Sequence, residues 1–267
     1  MLERCGEIWD QVKASRPLIH CITNYVTVNA VANSILAIGA SPAMCEHPRE
    51  AGDFVRLAGG LYLNLGTLTV EQEQAMTAAA IGAREVGIPL LIDPVACGVI
   101  PRKIEVLKSL MMRGKATVIK GNSAEIKSLA GLQASARGVD SMDSGEGLAE
   151  ACMGLSEKFD AVIAGTGEVD VIAAPGHLAR IYNGTVMFRE ITGAGCMAGG
   201  VMTACLAVAP KEAWLASITG LLAFSLAGQK AAERSGINPG SFRIMLDDEL
   251  HRLSGHDILE EGKVEWL

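Results

Sequence analysis

The run Ile191-Thr192-Gly193-Ala194-Gly195-Cys196-Met197-Ala198-Gly199-Gly200 is a glycine-rich bend that leads into small, uncharged residues continuing to Ala209. That length suits a helix, and a helix of small residues can lie close against a sheet, which points to an α/β fold. A helix that opens in such a bend aims several unpaired backbone N–H groups, and the positive end of its dipole, at one point in space. Such a point holds an anion, most often a phosphate. On the residues alone three readings stay open: an anion hole, a tight turn that only serves packing, or a dinucleotide-binding fingerprint. Gly193, Gly195 and Gly199 loosely mimic the last, but residues 188–192 before them are not a clean apolar strand.

Outward from this bend, short apolar runs alternate with helical patterns. Strands are predicted at 17–21, 61–65, 88–92, 116–119 and 161–164, with helices at 26–38, 70–86, 104–112 and 147–158 between them. Continuous apolar strands of four or five residues separated by helices mark a parallel sheet covered on both faces. After Gly165 the rhythm changes. Residues 169–173 and 177–182 predict an antiparallel pair joined by Pro175-Gly176, with a further short strand at 186–188. Helices at 196–208, 211–234 and 242–253 fill the rest. The expectation is one domain over residues 1–267, a three-layer α/β/α fold with a mostly parallel sheet and an antiparallel edge.

Composition narrows the function. The formal charge of −7 leaves no concentrated basic surface for a nucleic acid, though backbone amides can still bind one nucleotide. The seven cysteines show no CxxC spacing, so neither a zinc site nor a redox pair is expected, and their use as small apolar residues fits a reducing cytoplasm. Residues 1–7 carry neither a basic leader nor an apolar core, so no signal peptide is expected there. Residues 191–210 and 213–229 are uncharged and long enough for a membrane hairpin. The first is mostly Gly, Ala, Thr and Cys, which drive insertion weakly, and two helices buried in a core suit the pair better.

In parallel sheets ligands bind beyond the carboxyl ends of the strands. The polar residues fall there: Asn24 after the first strand, Asp93 after the third, Lys120 and Asn122 after the fourth, Thr166 after the fifth. Asn122 and Glu125 have the three-residue spacing of a capping box. Alternatively, Asp93 and Glu125 hold Mg²⁺ through water, since magnesium takes one or two carboxylates plus phosphate oxygens. Lys120 is either a compact charge for phosphates or a solvated surface lysine. Gly165-Thr166-Gly167 is either a turn or a second phosphate contact.

Taken together the chain resembles the hydroxyethylthiazole kinases, the thiamin-salvage branch of the ribokinase-like fold. The likeness runs through Cys21-Ile22-Thr23-Asn24-Tyr25-Val26-Thr27, Gly39-Ala40-Ser41-Pro42-Ala43-Met44, Leu63-Asn64-Leu65-Gly66-Thr67, Asp93-Pro94-Val95-Ala96-Cys97-Gly98, Lys120-Gly121-Asn122-Ser123-Ala124-Glu125, Gly165-Thr166-Gly167-Glu168-Val169-Asp170 and Thr192-Gly193-Ala194-Gly195-Cys196. The resemblance implies ATP-dependent phosphorylation of the primary alcohol of 4-methyl-5-(2-hydroxyethyl)thiazole. It places the thiazole at Met44 and Gly193 with Asn24 and Val26 nearby, ATP at Lys120 and Thr166, and Mg²⁺ at Asp93 and Glu125. Gly193, Ala194 and Gly195 would receive the phosphoryl group, with Cys196 at the base position, in a homotrimer.

Two departures are expected to matter. The family often has Arg where this chain has Lys120, and more distant relatives carry Asp where it has Cys196. A helix N-terminus is expected to lower the Cys196 thiol's pKa from its usual value of about 8.5, making it a modest base. The nearest rival function is another small-alcohol kinase of the same fold; an ATP-binding sensor without turnover, or a repair dehydratase, is further off.

Overall fold

The computed structural model describes residues 1–132 and 146–267. All of its strands lie in one nine-stranded sheet. The parallel part is built from β1 (Leu18–Ile22), β2 (Ser41–Ala43), β3 (Gly60–Asn64), β4 (Leu90–Asp93), β5 (Val118–Asn122) and β6 (Val162–Thr166), in spatial order β2-β1-β3-β4-β5-β6. β7 (Asp170–Ala174), β8 (His177–Ile181) and β9 (Val264–Trp266) extend it as an antiparallel edge. The α/β architecture therefore stands as expected.

Strand side chains alternate between two helical layers, as a period of two requires. On β3, Tyr62 faces one layer, while Leu61 and Leu63 face the other. The first layer holds α1 (Leu2–Ser15), α2 (Val28–Ala37), α8 (Ala194–Val208), α9 (Ala213–Ser235) and α10 (Pro239–Arg252). Opposite lie α3 (Ala51–Phe54), α4 (Val70–Val86), α5 (Pro101–Gly114), α6 (Ser123–Leu129) and α7 (Glu146–Phe159). The amphipathic spacing of Cys5, Ile8, Trp9 and Val12 produces α1, which precedes the first apolar run. A short α11 (Gly255–Glu261) packs on α1.

Residues 186–188 are not a strand. Val186–Glu190 is a 3₁₀ turn, because the Thr185 hydroxyl accepts from the Met187 N–H at 3.3 Å and starts a turn there. The free edge of β8 is taken instead by β9 from the far C-terminal part of the chain. Among the described residues no single helix is long and apolar enough to cross a membrane. The uncharged run forms α8 and the following helix, bent by 118° to one another. Residues 196–206 and 216–228 are buried in the core. Their packing is close: a Cβ on Gly220 would come within 2.5 Å of the Met202 Cα. Small residues in this run therefore answer to helix contact.

Candidate active site

The carboxyl ends of β4, β5 and β6 and the N-terminus of α8 surround a cavity of about 780 Å³. Its wall includes Asp93, Lys120, Glu125, Thr166, Gly193, Ala194, Gly195 and Cys196. Eight of the expected site residues thus converge from five separate elements. Asn24 lies outside this wall but touches it, its Nδ2 donating to Cys196 Sγ at 3.5 Å. Met44, half-buried against the core, and Val26, 54% exposed, do not line this cavity.

The bend that opens α8 is built as a helix N-terminus. Gly193 is the N-cap at φ +83°, a left-handed conformation natural to glycine, and its carbonyl accepts the Met197 N–H at 2.9 Å. Ala194 and Gly195 form the first turn and, with Cys196, face the cavity. Lys120 stands close by, since a Cβ on Gly195 would meet its Nζ at 3.0 Å. A cation and free helix amides thus meet at one point, the arrangement that binds a phosphate.

Lys120 is not a solvated lysine. It is 3% exposed, and its Nζ donates to Asp93 Oδ2 at 3.0 Å. Burial works against its charge, but Asp93 and Cys196 outweigh that and hold Lys120 above its ordinary pKa. Burial pushes Asp93 up while Lys120 restrains it. The pair keeps one firmly protonated lysine against a carboxylate that ionises reluctantly.

Glu125 forms the capping box in full. Its backbone N–H donates to Asn122 Oδ1 at 2.9 Å, and its Oε2 accepts from the Asn122 N–H at 2.8 Å. Its Oε1 accepts from the Ala96 N–H at 2.7 Å, tying the loop after β4 to α6. Both oxygens thus serve backbone amides, leaving each a spare lone pair. Among the described residues, no three His, Cys, Asp or Glu side chains are grouped to hold a metal by themselves.

The Cys196 thiol departs from expectation. Burial and the nearby Asp93 raise its pKa, while Lys120 and the Asn64 amide pull less strongly the other way. A helix N-terminus therefore does not depress the Cys196 thiol's pKa here, because the sulphur is desolvated and faces a carboxylate.

Three residues of the site were not singled out by the sequence. Tyr62 and Asn64 are fully buried beside Cys196, hidden within what reads as an apolar strand. Asp170 lines the cavity, its Oδ1 accepting from the Gly167 N–H at 3.0 Å and its carboxylate accepting from Ser225 Oγ at 3.4 Å. The Gly165–Asp170 motif carried it, but that motif suits a simple turn equally well. Burial pushes Asp170 up to about 7. A folded-state pKa above the unfolded value penalises folding progressively as pH rises through that interval, here on the order of 4 kcal/mol once fully ionised. Asp170→Asn, which keeps an acceptor for Gly167 and removes the charge, should raise Tm by several degrees at pH 8. The gain should shrink as pH falls towards 5; paired thermal melts check it, and an equal gain at both pH values would refute the assignment.

The chain is similar to known proteins over its length. The family model for the hydroxyethylthiazole kinase family matches residues 9–256. A hydroxyethylthiazole kinase of Syntrophomonas wolfei is 59% identical over 266 residues, covering the whole of both chains. One of Desulfitobacterium hafniense is 50% identical over 268 residues, again covering both in full. The solved structure of the hydroxyethylthiazole kinase protein of Pyrococcus horikoshii superposes with a TM-score of 0.90 at 33% identity, over 99% of each chain. A Bacillus subtilis pyridoxal kinase, solved as an ADP complex, shares the fold at a TM-score of 0.55 and 17% identity, covering 76% of this chain and 87% of its own. With the family model matching residues 9–256 and two relatives at 59% and 50% identity over the whole chain, the chain belongs to the hydroxyethylthiazole kinase family.

Proposed function

We propose that this chain transfers the γ-phosphoryl group of ATP to the primary hydroxyl of 4-methyl-5-(2-hydroxyethyl)thiazole in thiamin salvage, the whole chain acting as one ribokinase-like domain. The observation that carries the reading is the meeting of buried Lys120 with the N-terminus of α8 in a cavity of about 780 Å³. Phosphoryl transfer needs chiefly positioning and charge stabilisation, which these groups supply.

The phosphates of ATP lie along Lys120, Thr166 and the backbone of residues 165–168. The Gly195 and Cys196 N–H groups receive the γ-phosphoryl oxygens. The thiazole lies towards Asn24, Val26 and Met44, against Gly193. Its hydroxyl oxygen attacks the γ-phosphorus and the bond to the ADP oxygen breaks. Because Cys196 remains a thiol, it does not take the hydroxyl proton; that proton leaves late, onto an oxygen of the transferred phosphoryl group. Asp93 and Glu125, which both line the cavity, would hold Mg²⁺ through water, and the ion when bound would neutralise phosphate charge.

Exposed Tyr25 and Val26 beside the acceptor side, at 71% and 54%, support a homotrimer in which a neighbouring copy covers this surface. Seven free cysteines suit a reducing cytoplasm. The test is a coupled ADP-release assay with magnesium and a panel of alcohols. Preferential turnover of the thiazole alcohol is expected. Indifference to it alongside turnover of another alcohol would overturn the substrate assignment, and no release with any alcohol would overturn the kinase reading.

A carboxylate at position 196 would accept the hydroxyl proton that the thiol cannot. Asn24 Nδ2 and Asn64 Nδ2 already point at Sγ, at 3.5 and 3.2 Å, and would donate to that carboxylate. Cys196→Asp should therefore retain or raise kcat. Loss of activity with an unchanged melting temperature would show this account of position 196 to be wrong.

A further inference from the structure

The side chains around Cys196 form a closed hydrogen-bond chain that the transfer step described above does not use. Asn64 is 0% exposed with all four hydrogen-bonding positions filled. Its Oδ1 accepts from the Gly66 N–H at 3.0 Å and from Asn24 Nδ2 at 2.9 Å. Its Nδ2 donates to Tyr62 Oη at 2.9 Å and to Cys196 Sγ at 3.2 Å. Tyr62 Oη in turn donates to Asp93 Oδ2 at 3.4 Å, and Lys120 reaches the same oxygen at 3.0 Å. Asn24 is itself anchored, its Oδ1 accepting from the Thr27 N–H at 3.1 Å.

An amide has one acceptor end and one donor end, so its partners decide which end faces the sulphur. A flip of Asn64 would set its NH₂ against the Gly66 N–H and its oxygen against Sγ. Gly66 fixes the acceptor end, and Tyr62 holds the donor end. Tyr62 also touches α8 directly, since a Cβ on Gly199 would stand 2.6 Å from Tyr62 Oη. The same hydroxyl therefore meets the helix that carries residue 196 and the carboxylate that pairs with Lys120.

We infer that Asn64 and Tyr62 are positioning residues. Asn64 presents an amide donor to residue 196, and Tyr62 locks that amide and joins it to the Asp93–Lys120 pair. The inference rests on the kinase reading for its effect on turnover, but not for its effect on Cys196 itself. Hydrogen bonds to an ionised acceptor are about twice as strong as neutral ones. The donors should accordingly matter more to a carboxylate at 196 than to the thiol.

Tyr62→Phe and Asn64→Ala are made in the native chain and in the Cys196→Asp background, and kcat and KM are measured with the thiazole alcohol and MgATP. Tyr62→Phe removes one oxygen and keeps the ring, so it remains informative if Asn64→Ala fails to fold. Expected is a loss in kcat of about threefold to tenfold in the native chain, with KM unchanged within twofold, and about tenfold more in the Cys196→Asp background. The second arm needs no turnover: iodoacetamide modification at Cys196, followed by peptide mass, should slow severalfold in Tyr62→Phe. Equal losses in the two backgrounds, a change confined to KM, or an unchanged alkylation rate would each overturn the inference. Absence of ADP release from both the native chain and Cys196→Asp would instead overturn the kinase reading, with the alkylation rate still deciding the role of Tyr62.

Discussion

Gly193→Val should abolish turnover, lowering kcat by roughly 10³-fold or more, the scale seen when an oxyanion-type site loses its donors. Two independent effects converge. The residue sits at φ +83°, where a β-branched side chain is strained. A Cβ there would also approach Thr27 Cγ2 at 2.5 Å, so the bend must move away from α2. Movement by even a fraction of an ångström redirects the amides of Gly195 and Cys196, which under the proposed function must be aimed at the phosphoryl oxygens. Gly193→Ala should fall between the two, because it keeps the conformational strain with a smaller clash. Steady-state kinetics with thermal melts separate this from unfolding. Turnover of the valine variant within tenfold of native would remove the α8 N-terminus from the mechanism.

The second large effect is expected at Lys120. Lys120→Met should lower kcat/KM for ATP by about 10²- to 10³-fold, mainly through a raised KM, as a phosphate loses its cation within a buried site. Stability should fall too, because removing one partner of a buried ion pair leaves the other uncompensated, at about 3–5 kcal/mol. The sign with pH follows from Asp93. Lys120 holds its pKa down against burial, so without Lys120 the folded-state pKa rises further above the unfolded value. A raised folded-state pKa makes ionisation of the carboxylate ever more costly to the fold as pH increases, so Tm should drop more at pH 8 than at pH 5. Lys120→Arg, which preserves charge, should keep ATP turnover. An unchanged KM for ATP in Lys120→Met would place the phosphates elsewhere.

Much of the sheet could be read in the sequence because its central strands are buried on both faces. Continuous apolar runs such as 61–65 and 161–164 are too short for a helix and too apolar for a loop, and β3 and β6 lie there within two residues. The edge was harder. A three-residue strand such as β2 or β9 carries too few side chains to show a period, and β9 pairs with a strand more than eighty residues earlier. Residues 186–188 look like a strand by composition, and only the Thr185 cap and the occupied β8 edge exclude it.

The candidate site divides in the same way. Asp93, Lys120 and Thr166 were legible because strand ends in a parallel sheet converge, and Gly193 because a glycine bend opens a helix. Tyr62 and Asn64 escaped notice because both fall inside an apolar strand. At Glu125 the capping box is formed, and the residue also lines the cavity.

What the residues determine unaided is local and periodic: which segments are strands, which bends suit an anion, and which strand ends carry polar groups. Hydrophobic spacing and backbone sterics act between near neighbours, so linear order contains them. Only the folded molecule decides the ionisation of Cys196, the burial of Lys120 against Asp93, and the direction in which the Asn64 amide points. Those depend on desolvation and on partners brought together from distant segments, including two residues separated by 132 positions, and no local pattern encodes them.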